Sequence, residues 1–275
     1  MTQEWQARAA AHERRVDALL RGHQDRRRRG VKHPVEDFLF TYYSYRPAQL
    51  RKWRPDAHER LENAPAVDIV AILERRGETI RWIRDLLAAT ASRPPQLGCF
   101  GLHEWAMVYR LGQQEIRHTA WPLRLPQPEI AAMIEAKGVR CSHFDAFRFF
   151  TPPARPLNLL QPSRETQHAN EQPGCLHANM DLYKWSYKLA PLVGSETVVD
   201  CFELARDIRA LDMCASPYDL SALGYEPVRI ETAEGRAAYA AGQRAFAERA
   251  APLRARVIAT VDAVLALPAA VTVPA

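Results

Sequence analysis

Apolar residues recur at helical spacing along several segments of this chain, and prolines and glycines separate the segments. Between Ala66 and Ala91 the apolar side chains return every three or four residues, with arginines and glutamates between them. This pattern predicts an amphipathic helix that stops at Arg93-Pro94-Pro95. Because such helices bury their apolar stripes against one another, we expect a mainly α protein that forms a single compact helical domain.

The other helices are predicted from the same periodicity and from the residues at their ends, such as Gly30 and Gly138. Their ranges are 3–29, 34–45, 48–53, 101–111, 127–137, 176–189, 195–213 and 232–267. From these we predict a basic N-terminal helix in residues 1–32, a helical catalytic domain in 33–267 and a frayed tail in 268–275.

A different pattern occupies residues 139–150, where aromatic and β-branched residues alternate with polar ones. It predicts one short β or extended segment. In a strand, five residues share one face: Cys141, His143, Asp145, Phe147 and Phe149. Residues 151–174 follow with five prolines and no periodicity, which predicts a long irregular loop of a kind that is often functional.

The composition excludes several classes of protein. A hydrophobic fraction of 47% with 25% charged residues is that of a globular chain. We find no apolar run of about eighteen residues and no secretory signal, so we expect a cytoplasmic protein with no membrane partner. The five cysteines are odd in number and form no C-x-x-C pair, which favours reduced thiols over disulfides or a cysteine-rich zinc module.

The basic excess lies near the beginning of the chain. Residues 1–60 contain fourteen Lys and Arg against eight Asp and Glu, whereas the remaining residues contain twenty-three against twenty-four. The densest part is the run Arg26-Arg27-Arg28-Arg29. It predicts either contacts with the phosphates of nucleic acid, duplex DNA included, or a solvated, mobile end of a basic helix.

Histidines are concentrated in the middle of the chain, where five of the nine fall between positions 103 and 177. Several have a carboxylate close by, as in His103-Glu104, His143-x-Asp145 and His177-x-x-x-Asp181. A helix places residues four apart on one face, and a strand does so for residues two apart. The predicted loop between these pairs adds three more polar residues: Glu165, His168 and Glu171.

Three interpretations of this histidine-rich region remain open. The first is a site for iron, zinc or manganese, with ligands drawn from His103, Glu104, His143, His168 and His177. The second is acid–base catalysis, in which a carboxylate activates water and a histidine orients it, with catalytic residues drawn from Asp145, Asp181, Glu171, His143 and His177. The third is a set of polar residues that tie the loop to the core.

Aromatic and cationic residues near this region are candidates for substrate binding, because tyrosine and tryptophan line pockets for planar ligands and cations hold anionic groups. They are Tyr42, Tyr43, Trp105, Arg148, Tyr183, Lys184, Trp185 and Tyr187. Aromatic residues at helical spacing also belong to cores. The sequence contains no G-x-x-x-x-G-K-[ST], G-x-G-x-x-G or G-x-S-x-G motif, which argues against nucleoside triphosphate hydrolysis, Rossmann cofactors and α/β-hydrolase chemistry.

Several long strings resemble an actinobacterial family that is commonly labelled 3-methyladenine DNA glycosylase. They are HPVEDFLFTYYSYRPAQLRKW, CFGLHEWAMVYR, RCSHFDAFRFFTPPARPLN, PSRETQ, EQPGCLHANMDLYKW and CFELARDIRALDMCASPYDL, and they cover most of positions 33–250. The resemblance implies an enzyme that flips an alkylated purine out of DNA and hydrolyses its N-glycosidic bond without a metal. The glycine-rich helix-hairpin-helix of many alkylpurine glycosylases is not found here, so no catalytic residue transfers by motif.

Three functions follow from these observations. A DNA repair glycosylase comes first, with Tyr42, Tyr183 and Trp185 stacking on the base and Asp145 or Asp181 activating water. A metal-dependent or acid–base enzyme that acts on a small-molecule substrate comes second, and a non-catalytic nucleic-acid-binding protein comes third. The catalytic interpretations share one geometric expectation: the segments around positions 103, 143, 168 and 177 meet in one pocket.

Overall fold

The computed structural model describes residues 2–59, 61 and 67–267. In these residues the chain is mainly α-helical without a β-sheet, which confirms the predicted fold class. Two short 3-10 helices occupy Pro152–Leu157 and Ser221–Leu223. The α-helices of the described residues are α1 (Thr2–Arg28), α2 (Phe38–Tyr42), α3 (Pro47–Arg51), α4 (Ile69–Ala91), α5 (Leu102–Ala106), α6 (Gln127–Lys137), α7 (Phe144–Phe147), α8 (Gln167–Asn170), α9 (Leu176–Leu189), α10 (Ser195–Cys214) and α11 (Ala233–Leu265).

Residues 33–37 form a turn where the sequence predicted the start of the second helix. The ring Nδ1 of His33 accepts hydrogen bonds from the N–H groups of Val35 and Glu36, and a carboxylate oxygen of Asp37 accepts one from the N–H of His33. These side chains satisfy backbone donors outside a helix, which is how short polar residues compete with helical structure. The helix therefore begins four residues later than predicted, at Phe38.

The segment 139–150 is extended only over residues 139–143. Val139 forms an isolated parallel bridge with Asn158, whose side-chain amide also bonds to the backbone N–H and carbonyl of Cys141. At His143 the direction of the chain changes, because its Nδ1 accepts from the N–H of Ala146 and so caps α7. The segment is therefore not a strand as far as residue 149, and the prediction that every second residue from 141 to 149 shares one strand face is wrong.

Contacts between residues divide the chain into two compact units. Unit 1 comprises Met1–Ala88, Met180–Arg206 and Ala250–Ala275, and unit 2 comprises Ala89–Asn179 and Asp207–Arg249. The predicted division at residue 32 stays a prediction, and the predicted frayed tail lies outside the described residues. No described helix combines the length and the apolar character that crossing a membrane requires. All five cysteines are free thiols.

Candidate metal centre

Four side chains of the kinds that bind metals converge inside unit 2. They are His103 and Glu104 on α5, His177 in the first turn of α9, and Asp212 on α10. One ligand atom from each side chain lies within 4.8 Å of the ligand atoms of the other three. His177 is half-buried and the other three are buried. We call these four residues the His–carboxylate cluster.

The backbone before α5 brings His103 close to its partners. Phe100 and Gly101 both have left-handed backbone conformations, with φ of 50° and 75°. A Cβ atom at Gly101 would lie 3.2 Å from the ring of Tyr239 on α11, which is closer than ordinary packing allows. Glycine therefore serves here for its positive φ and for the close approach to Tyr239. The hydroxyl of Tyr239 lies 3.5 Å from a carboxylate oxygen of Asp212.

Hydrogen bonds link the members of the cluster. The ring Nε2 of His103 lies 2.9 Å from Asp212 Oδ1, and its Nδ1 lies 3.4 Å from Cys99 Sγ. The guanidinium of Arg209 donates to Glu104 at 3.0 Å and to the second oxygen of Asp212 at 3.4 Å. Arg209 and Asp212 are three residues apart on α10 and are both buried. The cluster thus holds two carboxylates around one guanidinium.

The titration of the cluster follows from this charge balance. Burial disfavours the charged imidazole of His103, but the Asp212 carboxylate and the Cys99 thiol raise its pKa well above the ordinary value. Burial likewise opposes the charge of Asp212, yet His103, His177 and Arg209 lower its pKa below the ordinary range. Arg209 carries one positive charge and contacts two carboxylates. A proton on His103 therefore neutralises the second negative charge.

A small cavity of about 10 Å³ lies beside His103. This volume is roughly that of one water molecule. Its lining includes the thiols of Cys99, Cys141 and Cys175. The lining also includes Gln243, whose side-chain oxygen is buried and accepts no hydrogen bond from the described residues. A buried acceptor of this kind calls for a donor such as a water in the cavity.

A larger cavity of about 370 Å³ occupies another part of unit 2. Lys137, Arg140 and Arg236 line it, together with Gly98, Phe100, Leu102 and Gly138, and no carboxylate is among its lining residues. Arg140 also lines the small cavity beside His103, so the two cavities share a wall. This size is within the range of small-molecule pockets, and its charge suits an anionic ligand.

Two further residues of the predicted site adjoin the cluster. The ring of His143 stacks on that of His177, with the ring centres 5.4 Å apart, and its Nε2 lies 3.5 Å from a carboxylate oxygen of Glu171. The side chain of Gln167 donates to the same oxygen of Glu171 at 2.6 Å. His168, on α8, is outside the four-residue group within the part of the chain that the structure describes.

The remaining predicted residues lie elsewhere. In unit 2, Asp145 is buried 3.5 Å from Arg148, and Trp105 is a core residue whose indole N–H donates to the carbonyl of Ala215 at 2.8 Å. In unit 1, the buried carboxylate of Asp181 accepts hydrogen bonds from Lys184 and, at 2.8 Å, from Tyr43. Four more predicted aromatic residues are in unit 1: Tyr42, Tyr183, Trp185 and Tyr187.

The predicted nucleic-acid-binding run closes α1. Arg26 is half-buried and pairs with Asp37 at 2.8 Å, while Arg28 pairs with Asp25. Arg27, Arg28 and Arg29 are exposed. Three of the four side chains are therefore accessible from solvent.

The prediction from sequence missed Asp212 and Arg209. Both lie on the helical stripe of α10 that also holds the buried Ala205 and Ile208. Charged residues at core positions of an amphipathic helix are uncommon, and this was the signal that the sequence offered.

Comparisons with protein-family models, with curated proteins and with solved structures find no match to this chain.

Proposed function

We propose that this protein is a metal-dependent enzyme in which the His–carboxylate cluster holds one divalent transition-metal ion and acts on a small anionic substrate. The observation that carries the proposal is the convergence of His103, His177 and Asp212, with Glu104, to within 4.8 Å. Two imidazoles with one or two carboxylates are the donor set of catalytic zinc sites and of non-haem iron sites.

The charge balance supports a cation at this place. Glu104 and Asp212 are buried with one guanidinium between them, and buried carboxylates need compensation. A proton on His103 supplies it in the metal-free protein, and a metal ion supplies it when bound. Ligand imidazoles must be neutral, so metal binding releases this proton and becomes stronger as the pH rises.

The surrounding residues have defined parts in such a site. His103, His177, Asp212 and Glu104 would hold the metal ion, which would supply an acidified water and a Lewis acid for a substrate oxygen. Arg209 and Tyr239 contact Asp212 and orient its carboxylate, as partners of metal ligands do. The side-chain oxygen of Gln243, which accepts no hydrogen bond from the described residues, would accept one from a water in the small cavity. Arg140, which lines both cavities, holds the anionic group of the substrate.

Elemental analysis of the untagged protein tests the metal site. We expect about one equivalent of zinc, iron or manganese in the purified protein, and less than about a tenth of that in His177→Ala and Asp212→Asn. His168→Ala is the matched control, because it removes a histidine of unit 2 outside the cluster and should keep the metal. Absence of metal from the wild type, or equal loss in the control, would contradict the proposal.

An activity assay tests the enzymatic part. Hydrolysis of a panel of small anionic esters and phosphoesters should disappear after chelation, return when metal is added, and decrease in Arg140→Ala at unchanged metal content. Metal binding without turnover of any panel member would leave a structural metal site and would overturn the enzymatic part of the proposal.

The DNA glycosylase activity implied by the resemblance stays a prediction, and the geometry favours it less. Of its two candidate bases, Asp181 is 1% exposed and already accepts from Tyr43 and Lys184, and Asp145 is 7% exposed and lies 3.5 Å from Arg148. A glycosylase should release base from methylated duplex DNA after complete removal of metal. DNA binding through Arg27 to Arg29 should weaken steeply with salt.

A further inference from the structure

A second cationic pocket lies in unit 1. Its volume is about 420 Å³, and it is lined by residues of four separate segments: Ser44, Tyr45, Gln49, Lys52, Arg54, Arg76, Tyr187, Lys188, Ala190, Pro191, Val193, Ser195 and Val198. Four of these side chains are basic and none is acidic. We call it the tyrosine–lysine pocket.

Several arginines of unit 1 are held by ion pairs. Arg8, Arg15 and Arg84 each pair with carboxylates at 2.7 to 2.8 Å. In the pocket, by contrast, no carboxylate of the described residues lies within 4.0 Å of the charged atoms of Lys52, Arg54 or Lys188. The side chains that line the pocket therefore give it a positive charge that attracts an anion.

The fourth cation helps to shape the pocket wall. Arg76 donates to the backbone carbonyls of Lys188 and Ala190, near the C-terminal end of α9. This bond holds the chain after α9 against α4 and fixes one side of the pocket. Of the three other cations, Lys188 also lies with its Nζ 6.0 Å from the centre of the Trp185 ring.

An aromatic wall completes the pocket. The rings of Tyr45 and Tyr187 are stacked, with their centres 4.9 Å apart and an angle of 16° between their planes. Flat aromatic surfaces of this kind bind planar rings, including nucleobases. The volume is in the range of pockets that enclose small molecules.

We propose that the tyrosine–lysine pocket binds a small phosphorylated aromatic molecule of the nucleoside monophosphate class. The phosphate lies between Lys52, Arg54 and Lys188, and the ring lies against Tyr45. This site is independent of the His–carboxylate cluster and requires no metal.

Titration calorimetry of the metal-free wild-type protein with adenosine monophosphate, adenosine and inorganic phosphate tests the proposal. Adenosine monophosphate should bind at least about tenfold more tightly than either fragment, and its affinity should fall as salt rises. Arg54→Ala and Lys188→Ala should each weaken it by about tenfold or more. Tyr45→Ala should weaken it while leaving the affinity for inorganic phosphate unchanged, and Tyr45→Phe should retain it.

Arg75→Ala is the matched control, because Arg75 is an exposed arginine of α4 that does not line the pocket. It removes the same charge and should change the affinity by less than about twofold. Lys188 is exposed, so its substitution leaves the core intact. The absence of binding, equal binding of adenosine, or an affinity that is unchanged in both Arg54→Ala and Lys188→Ala would overturn the proposal.

Discussion

The two units of the chain each bury carboxylates among aromatic or imidazole rings, but they balance the charge differently. In unit 1, Asp181 accepts hydrogen bonds from the cation Lys184 and from the neutral donor Tyr43. In unit 2, Glu104 and Asp212 share the single cation Arg209. The first arrangement pairs a carboxylate with a lysine, whereas in the second two carboxylates contact one guanidinium and His103 supplies further positive charge to Asp212.

This difference shows why burial of polar residues is a weak guide to function. Asp181 and Asp212 are almost equally buried, at 1% and 0% exposed. We propose that the number of neighbouring cations separates the ion pair of Asp181 from the metal site of Asp212. Four predictions, from the largest expected effect to the smallest, test whether the contrast is real.

Lys184→Ala should have the largest effect. It leaves the Asp181 carboxylate buried without its cation, and such losses cost about 3 to 5 kcal/mol of the free energy of unfolding. Urea denaturation at pH 7 measures the change. Tyr43→Phe, which removes one donor and keeps the ring, should cost about 1 to 2 kcal/mol. Equal effects of the two substitutions would show that the ion pair with Lys184 is not what mainly compensates the buried charge of Asp181.

Acid should destabilise unit 2 through His118. Burial, and then the charges of Arg209 and Arg117, lower the pKa of His118 to about 4. Because the folded pKa lies below the unfolded value near 6.5, this contribution to stability is present above that value and is lost as the pH falls towards 4. The loss reaches about 3 kcal/mol. His118→Gln should remove this part of the pH dependence, and an unchanged profile would contradict the assignment.

Zinc should stabilise the wild-type protein by about 2.7 kcal/mol at a hundredfold excess over its dissociation constant. His177→Ala should abolish the effect, and Tyr43→Phe should retain it. Without metal, the raised pKa of His103 means that its contribution to stability is present below its unfolded pKa and is lost as the pH rises through the folded value. Thermal unfolding from pH 6 to 9, with and without zinc, measures both trends. If zinc stabilised the protein more at low pH than at high pH, the proposal that zinc replaces the proton on His103 would be refuted.

A partly exposed ion pair should have the smallest effect. Arg15 pairs with Asp200 and Glu203, and its side chain is 37% exposed. Arg15→Ala should cost no more than about 1 kcal/mol, because water and salt screen such pairs. A loss as large as that of Lys184→Ala would show that burial does not distinguish the ion pairs of unit 1.

The sequence predicted those helices best whose ends carry local signals. Helix α6 was predicted to the residue, and Gly138 ends it with a φ of 65° and an N–H that donates to Ile134. Helix α9 was also predicted to the residue and begins shortly after Pro173-Gly174. The segment 139–150 was harder, because His143 uses its own ring to cap a helical turn, and side-chain capping overrides the alternating pattern.

The site could be predicted only in part. His103, Glu104 and His177 were recognised because histidines near carboxylates are unusual in composition and spacing. Asp212 lies 109 positions from His103, and periodicity carries no information about which distant helices meet. The convergence depends on tertiary packing, and the charged residues in the buried stripe of α10 were its one local trace.

Gly101 has a consequence that extends to the cluster without any ligand being changed. A methyl group at this position presses on the ring of Tyr239, and the hydroxyl of that ring is 3.5 Å from Asp212. A substitution at position 101 can therefore shift the Asp212 carboxylate through Tyr239, while the identities of all four cluster residues stay unchanged.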